Sequence, residues 1–315
     1  MKAQLEKSMR SSHEVRPLVP ADLGAVVSID ASLSGQPRRA YFERRLAAAQ
    51  RDPERHLQLA VDRDGSLAGF MLGRALEGEF GRSEPALRLE ALGVHPDAQD
   101  RGLGALLTQA LEARAASAGL VEVRTTGLWR HHGLLRYLDH SGYRLAESHV
   151  LDRALAAGEA YDFHPEARDA AEVAVLGEAD LEGITRIDRR VTGRDRHGYL
   201  CRTLREALAD SAVRISLAAH ADGQVAGFLM ARMDYGDFGR AEPVAVIDTL
   251  GVDPLRARQG IARALLSQLF ANLAAIGVER VETVVAPGRL DLMGFFHGAG
   301  FTPSERLAFV KSLRS

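Results

Sequence analysis

The chain is written twice, at a constant offset of 158 residues. Leu92-Gly93-Val94-His95-Pro96 returns as Leu250-Gly251-Val252-Asp253-Pro254. The same shift carries Val15 to Val173, Asp30 to Asp188, Gly35 to Gly193 and Gly69-Phe70 to Gly227-Phe228. It also carries Glu84-Pro85 to Glu242-Pro243, Gly102 to Gly260, Gly119 to Gly277, and Gly142-Tyr143 to Gly300-Phe301. A period this long far exceeds the roughly 20–50 residues of solenoid repeats, so each copy is a domain and the chain is a tandem. The expected division is a polar leader at 1–13, a first domain at 14–151, a linker at 152–171 and a second domain at 172–315.

Composition restricts the class of function. With 46% hydrophobic and 26% charged residues, each half can bury a core of its own. A formal net charge of −2 gives no bulk electrostatic reason to expect nucleic acid or an anionic membrane as partner. The single cysteine, Cys201, cannot form an intramolecular disulfide, which fits a reducing compartment. Residues 1–13 lack the apolar core of a secretory signal, and no apolar run approaches the ~20 residues of a membrane span. A cytoplasmic protein is the expectation.

Within one copy, hydrophobic periodicity gives the element order β-α-α-β-β-β-α-β-α-β. Val15–Leu18 reads as a short strand and Pro20-Ala21-Asp22 as a helix start. Helical spacing follows to Asp30, Gly35-Gln36-Pro37 interrupts it, and Arg38–Ala49 resumes it. Strands at His56–Val61 and Leu67–Leu76 flank the hairpin turn Asp62–Gly65. A strand over Leu87–Val94, a helix over Gly102–Ala118 and a strand over Val121–Thr126 come next. A helix near Gly133–Ser141 precedes a final strand from Tyr143. The fold class is therefore α/β, a mixed sheet whose middle is antiparallel, built twice by internal duplication.

The chemical signal lies where the fourth strand meets the long helix. In the first copy it reads Gln99-Asp100-Arg101-Gly102-Leu103-Gly104, just after Val94-His95-Pro96. Proline ends the strand ladder, and glycines allow a tight entry to the helix. The first helical turn presents unpaired N–H groups and partial positive charge, which suits a phosphate or pyrophosphate. Gln99 and Arg101 add side-chain donors. A P-loop would need Gly-Lys-Ser or Gly-Lys-Thr, absent from both copies. A dinucleotide fingerprint would need a third glycine and a position after the first strand.

Gln/Arg-x-x-Gly-x-Gly/Ala on a strand–loop–helix, present twice, resembles the GCN5-related N-acetyltransferase (GNAT) family over nearly all of both copies. The resemblance implies that residues 99–104 bind the pyrophosphate of acetyl-CoA as co-substrate. In the second copy the same role falls to Arg258, Gln259, Gly260, Ile261 and Ala262, with Ala257 departing from the family's Gln or Arg and Arg256 and Arg258 available to compensate. The strand before the loop splays from its neighbour in that family, which implies backbone contacts from Leu92, Val94, Leu250 and Val252 to the thioester carbonyl and pantetheine arm. Backbone N–H groups aimed at a developing oxyanion need no side chain.

By the same resemblance a carboxylate on that strand acts as general base, which points to Glu90 and Asp248 at matching positions. The alternative for either is a solvent-facing acid or one paired with an arginine such as Arg88. The family's acid, a tyrosine four residues before the Gly-Tyr or Gly-Phe that opens the late strand, is replaced by Leu138 and Phe296. Tyr137 stands one position away, about 100° around the helix, so either Tyr137 reaches differently, water protonates the thiolate, or one or both halves are not catalytic. His131 and Arg289 replace the asparagine common at the start of that helix. His131-His132 has no third ligand at metal spacing, so no metal is expected.

A second matched set, Asp30, Arg38 and Tyr41 with Asp188, Arg196 and Tyr199, lies in the helix–loop–helix region. An Asp and an Arg there suit the amine and carboxylate of an amino-acid-like or peptide acceptor. They equally suit a mutual brace between the two helices. Gly78–Arg82 and Gly236–Arg240 repeat as a rim of the cleft or a contact between halves. The resulting expectation is an acetyl-CoA-dependent N-acetyltransferase acting on a primary amine of a small molecule or peptide. The rival is an acyl-CoA-binding regulatory or scaffold protein with one or both halves inactive. Duplication would also let the halves pack as an intramolecular pseudo-dimer, leaving the chain monomeric.

Overall fold

The computed structural model describes residues 14–76, 78, 84–155, 171–209, 215–234 and 242–314. The expected leader, most of the linker and the two repeated rim loops (79–82 and 236–240) lie outside these residues.

The first half begins with β1 (Val15–Pro17), α1 (Leu23–Ser34) and α2 (Arg39–Arg51). It continues with β2 (His56–Arg63), β3 (Ser66–Leu76), β4 (Ala86–Val94), α3 (Leu103–Ser117), β5 (Glu122–Leu128) and α4 (His132–His140). Two strands then replace the single one expected from Tyr143: β6 (Arg144–Leu145) and β7 (His149–Ala154). The second half repeats the order: β8 (Glu172–Val175), α5 (Leu181–Thr192), α6 (His197–Ala209), β9 (Leu217–Ala221), β10 (Gln224–Asp234) and β11 (Val244–Val252). It ends with α7 (Ile261–Ala275), β12 (Arg280–Val285), α8 (Leu290–Gly298), β13 (Thr302–Pro303) and β14 (Arg306–Ser312).

These strands form two seven-stranded sheets, ordered β1-β2-β3-β4-β5-β14-β6 and β13-β7-β12-β11-β10-β9-β8. Each sheet takes one strand from the other half. β14 runs antiparallel to β5 from Arg306↔Leu128 to Ser312↔Glu122. β7 runs antiparallel to β12 from Arg280↔Ala154 to Val285↔His149. The 151/152 division expected from composition falls inside β7.

The exchanged strands carry core side chains with them. Phe309 of β14 is buried among Leu87, Leu107, Leu111 and Val123 of the first half, and Leu151 of β7 among Leu265, Phe270 and Val281 of the second. Burying a side chain of this size contributes about 2 kcal/mol. The contacts are reciprocal in the repeat frame. Lys311 meets Glu112 at 2.7 Å, while Arg153, its counterpart, lies over the ring of Phe270, the counterpart of Glu112.

Period-2 alternation decides which helices cover each face. In β2, Leu59 and Val61 pack with α3, while Ala60 packs with Val26, Ile29 and Phe42 of α1 and α2. The second sheet is sandwiched in the same way, with α7 and α8 on one face and α5 and α6 on the other. The turn between β2 and β3 has Asp64 and Gly65 both at positive φ, as the hairpin sequence requires.

Candidate active site

β4 and β5 pair in parallel only from Ala86↔Glu122 to Arg88↔Arg124, and β11 and β12 only from Ala245↔Val281 to Ile247↔Thr283. Where each ladder stops, a threonine caps the split. Thr125 Oγ1 donates to the Leu89 carbonyl at 3.0 Å, and Thr283 Oγ1 to that of Ile247 at 3.2 Å. Beyond the split, the segments holding Leu92, Val94, Leu250 and Val252 pair with β3 and β10 on one side. Their opposite backbone edges face the gap left by the diverging strands.

A β-bulge sits at each split. Leu72 pairs with Ala91 and Gly73 with Leu89, which leaves Glu90 as the extra residue of β4. Met230 pairs with Thr249 and Ala231 with Ile247, which leaves Asp248 as the extra residue of β11. A bulge re-aims the side chain it displaces. Both predicted base candidates therefore occupy the one irregular position of an otherwise regular strand.

Neither carboxylate faces solvent. Glu90 is 1% exposed and lies 2.9 Å from Arg45 of α2 and 3.8 Å from Arg74 of β3. Asp248 pairs with Arg232, the repeat counterpart of Arg74, at 3.0 Å. It also lines a cavity of about 80 Å³ between the halves, together with Arg88, Thr125, Ser148 and Glu282. Arg88, the partner considered for Glu90, reaches instead across the halves to Asp234 at 3.5 Å.

The two loops share one backbone geometry. Asp100 (φ 59°) and Gly102 (φ 78°) are left-handed in the first, Arg258 (φ 64°) and Gly260 (φ 84°) in the second. Gly102 and Gly260 are the N-caps of α3 and α7, and no side chain caps either helix. The first-turn N–H groups are thus left to an anion, and a Cβ built on Gly102 would meet no atom within 4 Å. Both the donor set and the open space fit a pyrophosphate. Gln99, exposed on the loop, donates through Nε2 to the Val94 carbonyl at 3.1 Å, bracing the loop. Arg256 is held by Asp222 at 2.7 Å. The second small residue of the motif has a packing role: a Cβ on Gly104 would come within 3.0 Å of the Tyr137 ring.

Tyr137 itself is directed at α3. Its hydroxyl donates to the Gly104 carbonyl at 3.0 Å and is in contact with Thr108 Oγ1. Burial pushes the phenol up from its ordinary value. Leu138, at the position expected to hold an acid, is wholly buried in the core, as is Phe296.

The Asp–Arg sets are braces in both halves. Arg38 Nε donates to Asp30 Oδ2 at 2.8 Å, with a second bond from its NH2, and Arg196 Nε donates to Asp188 Oδ2 at 2.9 Å. All four residues are buried, so these charges are committed to each other across the helix junction. Arg196 also donates to the Gly78 carbonyl of the first half. Tyr41 and Tyr199 stack on Arg38 and Arg196, and the Tyr199 hydroxyl meets Thr249 Oγ1 at 3.1 Å.

Two further signals lie in the sequence. The glycine in each Leu-Gly-Val is demanded by the phenylalanine paired with it: a Cβ on Gly93 would lie 2.5 Å from the Phe70 ring, and one on Gly251 2.6 Å from that of Phe228. Arg74 and Arg232, which reach the candidate bases, also match at the repeat offset.

The chain matches the acetyltransferase (GNAT) family model twice, at residues 26–143 and 182–301, and it belongs to that family. It is an acetyltransferase of a family whose chemistry is acetyl transfer from an acyl-CoA. Similar curated proteins include the mycothiol acetyltransferase of Clavibacter michiganensis subsp. michiganensis, 29% identical over 66% of this chain and 67% of that protein. The mycothiol acetyltransferase of Amycolatopsis mediterranei is 26% identical over 81% of this chain and 83% of its own length. Among solved structures, a tandem GNAT protein from the clavulanic acid biosynthesis pathway aligns with a TM-score of 0.64 at 15% identity, covering 96% of this chain and 99% of that one. A GCN5-related N-acetyltransferase from Sphaerobacter thermophilus aligns with a TM-score of 0.61 at 20% identity, covering 96% of each chain. Among the described residues, no helix is long and apolar enough to cross a membrane.

Proposed function

We propose that the protein is an acetyl-CoA-dependent N-acetyltransferase whose acceptor is a primary amine on a small molecule. Glu90 and Asp248 serve as general bases of the first and second halves. The observation that carries this reading is the pair of bulged carboxylates, each set where the parallel ladder parts. The two uncapped helix N-termini, at Gly102–Gly104 and Gly260–Ala262, hold the pyrophosphate through backbone N–H groups. Acetyl-CoA, when bound, supplies an activated thioester.

Glu90 removes the proton that keeps the acceptor nitrogen from attacking. The neutral amine then attacks the thioester carbonyl and forms the amide bond as the carbon–sulfur bond breaks, and the proton the nitrogen sheds passes through water to the departing thiolate, giving the free CoA thiol. Tyr137 braces α3 through Gly104 and Thr108 in this scheme rather than acting as the acid. The buried Asp30–Arg38 and Asp188–Arg196 pairs fix the helices that flank the acceptor side, while acceptor contacts fall to the split and its rim. A small-molecule acceptor rather than a peptide is favoured by the relatives named as mycothiol acetyltransferases. A cytoplasmic location is supported by the single cysteine, Cys201.

Glu90→Gln and Asp248→Asn, made separately, test the assignment by turnover and by acetyl-CoA binding. A half that catalyses loses about 10²-fold or more in kcat while its acetyl-CoA affinity is kept. Unchanged turnover in both variants contradicts the base assignment, whereas acetyl-CoA binding without turnover in the wild type favours a binding protein.

A further inference from the structure

Where the halves meet, a run of alternating charges leads from Glu206 of the second half, 39% exposed, inward to buried Glu90. Glu206 of α6 lies 2.5 Å from Arg55, in the segment before β2, and 3.2 Å from Arg74 of β3. Arg74 stands 3.8 Å from Glu90, whose nearer cation is Arg45 of α2 at 2.9 Å. Arg74 is thus shared between two acids, and the one it approaches more closely belongs to the other half.

The surroundings make that sharing consequential. Arg45, Arg55 and Arg74 have side chains 16%, 11% and 12% exposed, so water screens them little. His56 of β2, the cross-strand partner of Arg74, adds no charge, because burial and then Arg74, Arg45, Arg55 and Arg51 lower its pKa to about 3. Arg88 on β4 itself is turned to Asp234, and Arg202 of α6 is a further cation beside Arg55. Glu206 is the second-half acid that meets Arg55 and Arg74, as Asp234 meets Arg88. The repeat does not reproduce these residues for the second half's base: at the offset, Ala48 answers to Glu206 and Thr203 to Arg45.

We propose that Glu206, supplied by the second half, is a positioning residue for acetyl transfer in the first. By drawing Arg74 toward itself and Arg55, it keeps that guanidinium from closing on Glu90 and leaves Glu90 basic enough to take the acceptor's proton. A cation nearer a carboxylate makes it a weaker base, so the effect has a definite sign. The inference rests on Glu90 acting as the base.

The test is the pH dependence of kcat/KM in the full chain for wild type, Glu206→Gln, Glu206→Asp and Glu90→Gln, with acetyl-CoA KM measured alongside. Glu206→Gln is expected to move the acid limb about half a pH unit lower and to reduce the plateau about threefold. Acetyl-CoA KM stays unchanged, and Glu206→Asp restores most of the shift. Should Glu206→Gln fail to fold, Glu206→Asp alone is expected to show a smaller shift of the same sign. A limb that coincides with wild type in the folded Glu206 variants, while Glu90→Gln abolishes it, overturns the role of Glu206 and leaves the base assignment standing. A limb and plateau unaltered by Glu90→Gln overturn the base assignment, and this inference with it.

Discussion

Glu90 and Asp248 owe their place to one extra residue each in β4 and β11. In a regular strand either side chain would continue the alternation; the bulge sets it beside the split instead. The acids themselves were legible as a matched pair on an apolar strand. Their arginine partners were less so: Arg74 and Arg232 match at the repeat offset, but no local pattern says that they, or Arg45, pack against these acids. The same holds for Asp30 and Arg38, whose spacing allowed a ligand contact or a brace until burial decided for the brace. His56 carries a separate, pH-dependent consequence. Its pKa falls to about 3 in the folded protein, led by burial, against an ordinary value of 6.5. The unfolded chain therefore binds a proton that the folded one refuses between those values, and stability falls as pH drops through that window. Replacing His56 with Leu removes the effect. Between pH 6.5 and 5, wild type is expected to lose about 2 kcal/mol more than the variant, measured by denaturant unfolding at each pH.

At the scale of elements, most of the order could be read from the chain. The β2–β3 hairpin, α3 and the loop before it sit within a residue or two of where periodicity and turn residues put them. The loop was legible because its geometry is local: glycine at positive φ, a helix start and no capping side chain. Gly102 carries the clearest consequence. Alanine there meets open space but is forced to φ 78°, a strain of about 1 kcal/mol. The expected outcome for Gly102→Ala is weaker acetyl-CoA binding at the first loop with only a small drop in Tm. Binding and melting measured on one preparation separate the two effects. The end of each repeat was read less well. A single strand from Tyr143 becomes β6 and β7, because nothing in the alternation of His149–Ala154 says which sheet it will join.

At the scale of the whole molecule, that unreadable choice decides the architecture. Each sheet is completed by a strand from the other half, and Phe309 and Leu151 sit in cores their own repeats do not build. Ion pairs from Arg55 and Arg74 to Glu206, and from Arg88 to Asp234, cross the same boundary. The halves are expected to unfold in one cooperative transition, so the calorimetric and van't Hoff enthalpies should agree; two resolved transitions would argue against coupling through the exchanged strands. Acetyl-CoA binding is expected at both loops, since they present one backbone geometry although Ala257 stands at the repeat position of Gln99. Titration of the full chain with acetyl-CoA by calorimetry, read for stoichiometry, tests this most directly. Two equivalents bound per chain is the predicted result; one equivalent would contradict binding by both halves, and no saturable binding would contradict the account as a whole.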